Sequence, residues 1–260
     1  MKQYLLKKEG YAVRYQDLPG VDPPLVFLHG LGCASSFEYP AVMAEPDLLG
    51  RRALLIDLLG AGYSDQPLAS GYSVEQHAAY LNEMLTSLDL HQIVLFGHSL
   101  GGAVAICLAG LLGERLFSLI LTESNLDPSR GSAVSRKIGS QSSEAFLAHG
   151  YADLLARAQK SNPLWGATLA HWLPEAAWRI SRSAVQGGAT SWRQQLYALQ
   201  KPKSYLFGGH SLPSEDVDAL RAHGVRVEII PDAGHSMALE NPAALAETIA
   251  MILKDCMEER

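Results

Sequence analysis

The chain has 260 residues, 48% of them hydrophobic and 18% charged, with a formal net charge of −6. That balance belongs to a globular chain able to bury a core without staples. Acidic and basic residues are interspersed, so no basic stripe is offered to nucleic acid and no basic amphipathic helix to a membrane surface. The opening run MKQYLLKKEGYAVRY is charged and lacks an apolar stretch of signal-peptide length. No segment approaches the roughly 18 apolar residues that span a bilayer. Cys33, Cys107 and Cys256 are far apart and odd in number, the usage of free thiols in a reducing compartment. The expectation is a cytoplasmic protein, monomer or homodimer, whose partner is a small-molecule substrate. The nine histidines show no metal-ligand spacing, so no metal is expected.

Short apolar runs alternate with helical patterns along the chain. Strands are predicted at Pro24–Leu28 and Ala53–Ile56. Ser73 to Gln76 has the form of a capping box, and Val74, Ala78, Leu81, Leu85 and Leu88 then recur on one helical face. A strand over Ile93–Phe96 and a helix over Ala103–Ala109 follow, then a strand at Leu119–Leu121. From about Asp127 to Gln200 no strand signal occurs; short helices are joined by Gly, Ser and Pro, and all four tryptophans, Trp165, Trp172, Trp178 and Trp192, fall here. Strands return at Ser204–Phe207 and Val225–Ile230. Asn241 and Pro242 open a last helix with Leu245, Ile249 and Ile252 as its buried stripe. This order predicts an α/β fold: a doubly wound, mostly parallel sheet. Its core would be formed by residues 1–126 and 201–260, with 127–200 inserted as a helical cap whose aromatics fill a small core and line a pocket.

One join stands out. Gly97-His98-Ser99-Leu100-Gly101 fits G-x-S-x-G between an apolar strand and an apolar helix, the context that gives the pattern its meaning. A turn that tight needs tiny residues two before and two after the serine, and it aims the hydroxyl above the strand ends, where open α/β sheets bind ligands. It also leaves the Leu100 N–H free at a helix start.

With these residues the chain resembles the α/β-hydrolase family over nearly its whole length. His29-Gly30-Leu31-Gly32 is similar to the family's oxyanion loop, Asp57 to Ser64 to its D-x-x-G-x-G-x-S turn, and Asp232-Ala233-Gly234-His235 to its catalytic-histidine loop. The resemblance implies Ser99 as nucleophile, His235 as base, and the backbone N–H groups of Leu31 and Leu100 as oxyanion donors. It also argues against the dehalogenase and epoxide-hydrolase members, which carry aspartate at this turn. His98 is the rival base but should point away from its neighbour. The pocket wall is expected from His29, Gly30, His98, Trp165 and Trp172, with the His29 ring also bonded to backbone to hold its loop. Cys33, just past that loop, is read as packing. Asp57 is read as pinning the loop that carries Ser64.

The family's acid normally follows the strand that is here Ser204–Phe207, but the run reads Gly208-Gly209-His210-Ser211. Glu123, just past the preceding strand, is the replacement, and it keeps the order Ser, acid, His. Asp127 is next, Glu215 and Asp216 look exposed, and a dyad without an acid stays open. The predicted reaction is hydrolysis of a small, mainly apolar carboxylic ester through an acyl-enzyme, without cofactor. Amide or carbon–carbon bond hydrolysis, and a non-catalytic ligand-binding protein of the same fold, are the alternatives. Of Arg130, Arg136, Arg179, Arg182 and Arg193, all within the insertion, most are expected in solvent and one could pair a substrate carboxylate.

Overall fold

Residues 1–258 are described by a computed structural model of the chain. The strands are β1 (Lys2–Leu5), β2 (Ala12–Leu18), β3 (Val21–Leu28), β4 (Arg51–Ile56), β5 (Ile93–His98), β6 (Leu116–Thr122), β7 (Lys203–Gly208) and β8 (Arg226–Ile230). The helices are α1 (Ser35–Met43), α2 (Val74–Ser87), α3 (Leu100–Leu112), α4 (Val134–Gly139), α5 (Ser143–Ala145), α6 (Tyr151–Ser161), α7 (Pro163–Leu169), α8 (Pro174–Gln186), α9 (Trp192–Ala198), α10 (Asp216–Ala222), α11 (Met237–Glu240) and α12 (Pro242–Glu258). The sheet runs in the order β1-β2-β4-β3-β5-β6-β7-β8. β1 and β2 pair antiparallel; every other pairing is parallel.

Parallel strands buried on both faces sort their side chains by alternation. Leu25, Phe27, Val94 and Phe96 face one way and pack with Tyr39 and Val42 of α1 and Leu245, Ile249 and Leu253 of α12. Val26, Leu28, Leu95 and Leu121 face the other way, against Ala78, Leu81 and Leu85 of α2 and Val104 and Leu108 of α3. Each such fully buried side chain contributes about 1.5–3 kcal/mol. Both predicted caps are present. Ser73 Oγ accepts from the Gln76 N–H while Gln76 Oε1 accepts from the Ser73 N–H, both at 3.1 Å. Asn241 Oδ1 accepts from the Ala244 N–H at 3.1 Å.

β1, β2, α1, α10 and α11 lie outside the predicted set. On the antiparallel flank, β1 is short and mostly exposed, β2 interleaves buried Ala12, Val13 and Tyr15 with polar residues, and neither carries a continuous apolar run. α1 contains Pro40, which reads as a breaker. The Ser36 carbonyl, deprived of its helical N–H by that proline, accepts from Gln16 Nε2 of β2 at 3.3 Å. Helices α4 to α9 all fall between β6 and β7. Among the described residues, no helix is long and apolar enough to cross a membrane.

Candidate active site

β5 is flanked by β3 and β6, so its carboxyl end opens at the middle of the sheet. There the chain turns directly into α3 through Ser99, with φ 51° and ψ −121°. A non-glycine residue in that region costs on the order of 1–3 kcal/mol and persists only where its surroundings enforce it. The surroundings are glycines that admit no side chain. A Cβ on Gly97 would lie 2.6 Å from Ala105 Cβ, one on Gly101 2.2 Å from the His29 carbonyl oxygen, and one on Gly102 2.0 Å from Ser124 Oγ. The Ser99 N–H donates to Thr122 O at 2.9 Å, and Ser99 O accepts from the N–H groups of Gly102 (3.0 Å) and Asn125 (3.1 Å).

Ser99 Oγ lies 3.2 Å from His235 Nε2, although 136 residues separate them. A hydroxyl held on an imidazole is the pairing that general-base activation of a weak nucleophile requires. His235 follows β8 on a loop seated over the end of β7. His210 N–H donates to Ala233 O at 2.9 Å, and a Cβ on Gly208 would fall 2.4 Å from the Gly234 carbonyl oxygen. The ring is open to the cavity on one side and stands 4.8 Å, centroid to centroid, from His98 on the other. Crowding by protein pulls its pKa below the ordinary imidazole value; the charges of Glu123 and, less strongly, Glu240 pull it back part of the way.

Glu123 is also in the left-handed region, with φ 45°. Its Oε1 accepts from the Gly208 N–H at 2.9 Å. Glu240, at the end of α11, accepts from the Gly234 N–H through Oε2 at 2.6 Å. Two carboxylates thus act on His235, one anchored on the N–H that ends β7 and the other on a loop N–H, and no hydrogen bond from either to the His235 ring occurs among the described residues. Asp127, the second candidate acid, is engaged elsewhere, accepting from Arg193 Nε at 2.9 Å. Asp216 is not simply exposed: it lines the cavity and pairs with Arg193 Nη2 at 2.8 Å. Arg193 therefore ties two acids and is not free for a substrate. Glu215 is exposed, and Ser211 ends a short 3-10 turn away from the cavity lining.

Gly30, Leu31, Leu100, His98 and Trp165 line a cavity of about 720 Å³ around Ser99 and His235. Among the described residues, no protein acceptor takes the N–H of Leu31 or of Leu100. His98 is held by Nδ1 on Thr122 O at 3.1 Å. Burial pulls it down to about 3, so it is neutral and turned from Ser99's proton.

Two expected wall residues do not line the cavity. His29 is fully buried beneath its loop: its Nδ1–H donates to Gly30 O at 2.9 Å, and its Nε2 accepts from the Leu58 N–H at 3.0 Å. Trp172, 3% exposed, stands edge-on to His29 at 5.7 Å and donates its indole N–H to Cys33 O at 2.7 Å. Both rings are consumed in holding backbone. Cys33 does reach the cavity, but burial pushes its thiol well up, which leaves it unreactive. Asp57 accepts from the Ser36 N–H and the Tyr63 N–H, both at 3.0 Å, and so pins its turn. Sequence reasoning missed Glu240, whose signal is a carboxylate little more than one helical turn past His235, and the polar wall residues Ser124, Asn125 and Tyr205.

The family model for the α/β hydrolase fold matches residues 23–242, and the chain belongs to that family. A dihydrolipoyllysine-residue acetyltransferase component of an acetoin cleaving system from Pseudomonas putida is 27% identical, over 89% of this chain and 64% of its own length. The chain thus spans less than two thirds of that relative. The sn-1-specific diacylglycerol lipase of Mus musculus is also 27% identical, over 89% of this chain and 81% of its own. A thermophilic esterase from Thermogutta terrifontis superposes with a TM-score of 0.80 at 22% identity, covering 98% of both chains. The chain thus shares the α/β hydrolase fold with proteins that include a lipase and an esterase.

Proposed function

We propose that the chain is a serine hydrolase that cleaves a small carboxylic ester through an acyl-enzyme. The observation that carries this reading is the 3.2 Å approach of Ser99 Oγ to His235 Nε2, inside a cavity of about 720 Å³, a volume within the range of small-molecule sites. His235 takes the Ser99 proton as the oxygen attacks the ester carbonyl. The carbonyl oxygen, now negative, is received by the Leu31 and Leu100 N–H groups; each such donor is worth roughly 10²–10³ in turnover. His235 then protonates the leaving alkoxide. Water, deprotonated by the same ring, releases the acid. Glu123 serves as the carboxylate that stabilises the imidazolium. Its left-handed backbone and its charge on His235 support that role.

Residues 127–200 act as a lid in this reading. Val134, Trp165 and Phe207 supply apolar wall for an acyl or aryl group. Glu123, Asp216 and Glu240 line the same cavity, and among the described residues no lysine or arginine does, so a substrate that is not anionic at its acyl end is favoured. The test is a fluorophosphonate probe together with short-chain p-nitrophenyl esters. Covalent labelling at Ser99, with turnover lost in Ser99→Ala, is the expected result. Turnover that survives Ser99→Ala overturns the assignment.

A further inference from the structure

The loop beside Ser99 is gripped from the insertion. Gly30 to Cys33 form a turn closed by the Cys33 N–H on Gly30 O at 3.2 Å. Gly32 carries φ 77°, the signature of a type II turn at its third position. Such a turn can interconvert with type I by flipping its central peptide, here the one joining Leu31 to Gly32, and glycine leaves that flip open. The Leu31 carbonyl of this peptide accepts from Trp165 Nε1 at 2.9 Å. One residue beyond the turn's centre, the Cys33 carbonyl accepts from Trp172 Nε1 at 2.7 Å. The Trp165 ring also lies where a Cβ of Gly32 would stand, 2.4 Å from its Nε1. Both indoles reach across more than 130 residues of sequence, at separations of 134 and 139. Trp172 is fixed in its turn: its own carbonyl accepts from Tyr151 Oη at 3.0 Å, and the next N–H, of Leu173, donates to Gly60 O at 2.9 Å.

We infer that Trp165 and Trp172 are positioning residues that hold the Leu31 N–H in its oxyanion-binding orientation, so that the insertion sets catalytic competence as well as access. This rests on the serine-hydrolase reading above. The Leu31 N–H lies on the Gly30–Leu31 peptide, which joins the held peptide at the Leu31 Cα and closes the turn on Cys33, so freeing the turn at Leu31 O and Cys33 O lets residues 30 to 33 drift and carries the donor off the point where negative charge develops. Misplacement of this kind costs rate more than binding, because the charge exists only in the transition state.

Trp172 gives the cleaner test, since it does not line the cavity and touches no substrate. In Trp172→Phe, kcat is expected to fall about 10-fold, below the ~10²–10³-fold cost of losing a donor outright, with KM within about twofold. The affinity for a trifluoromethyl ketone, which adds to Ser99 as an oxyanion, should fall in step with kcat. Benzothienylalanine at position 172 or 165, an isostere lacking only the N–H, should reproduce the loss if the phenylalanine variant folds poorly. An unchanged kcat with a lowered melting temperature overturns the inference, as does a loss of kcat not mirrored in ketone affinity. Wild-type protein that fluorophosphonate fails to label at Ser99 would sink the underlying reading instead, and this inference with it.

Discussion

The two sides of the His235 ring are built to different tolerances. Toward Ser99, everything is steric: a left-handed serine and three glycines, one of which would drive a Cβ to 2.2 Å from a carbonyl oxygen. Toward the acids, Glu123 and Glu240 both act on the ring while bonded to backbone N–H groups of their own. The difference follows from the forces involved. Proton transfer and attack need contact distances, whereas a charge falls off only as 1/r and can be supplied from more than one place. A nucleophile is therefore confined to one local design, and its acid is free to shift between strand ends.

The largest expected effect lies on the steric side. Ser99→Ala or His235→Ala should lower kcat by at least roughly 10⁴-fold, read with a p-nitrophenyl ester. Gly101→Ala should yield no folded active protein, seen as loss of soluble material with a cooperative melt. On the electrostatic side, Glu123→Gln should cost roughly 10²–10⁴-fold in kcat and Glu240→Gln less than about tenfold, following the order of their influence on His235. Both carboxylates raise the His235 pKa, so removing either lowers it. The base then stays neutral to lower pH, and the acid limb of kcat/KM moves downward in both variants, further in Glu123→Gln. Equal losses in the two variants would erase the distinction between them.

A third comparison concerns charge in the cavity. Neutral acyl chains should be hydrolysed about 3- to 10-fold better than matched chains ending in carboxylate, as expected for charges about 6 Å apart in a solvent-filled cavity with an effective dielectric of about 40–80. Asp216→Asn should narrow that gap in kcat/KM. A separate effect is on stability. His77 and His98 are each pulled by burial to about 3, below the ordinary value near 6.5. Between about pH 6.5 and 3 the unfolded chain binds protons that the folded chain refuses, so stability is complete above that window and drains as pH falls. The slope should reach ~1.4 kcal/mol per pH unit for each ring, measured by denaturant melts at successive pH values.

The sequence made the sheet's centre legible because strands buried on both faces need apolar centres, and β3 to β6 each carry one. β1 and β2 were not legible, since a polar flank carries no such run. The Ser99 elbow could be read because its steric demand is local. His29 and Trp172 were misplaced because sequence shows that a ring lies near a loop, without showing which side of the loop it occupies. Asp216 looked exposed until Arg193 and Asp127, both distant in sequence, were seen to meet beside it. Glu240 escaped because a helix-end acid ordinarily faces water.

His98 and Thr122 are the last registered pair of β5 and β6, so Ser99 and Glu123 occupy the next rung, side by side. Their separation is governed by interstrand spacing, about 4.7–4.9 Å between neighbouring strands, and by no loop. The segment that leaves β6 can therefore be lengthened, shortened or exchanged while Ser99 and Glu123 keep their spacing, provided a donor still meets residues 31 and 33. Chemistry and substrate range are separable traits in such a scaffold, and the second can be re-engineered by grafting.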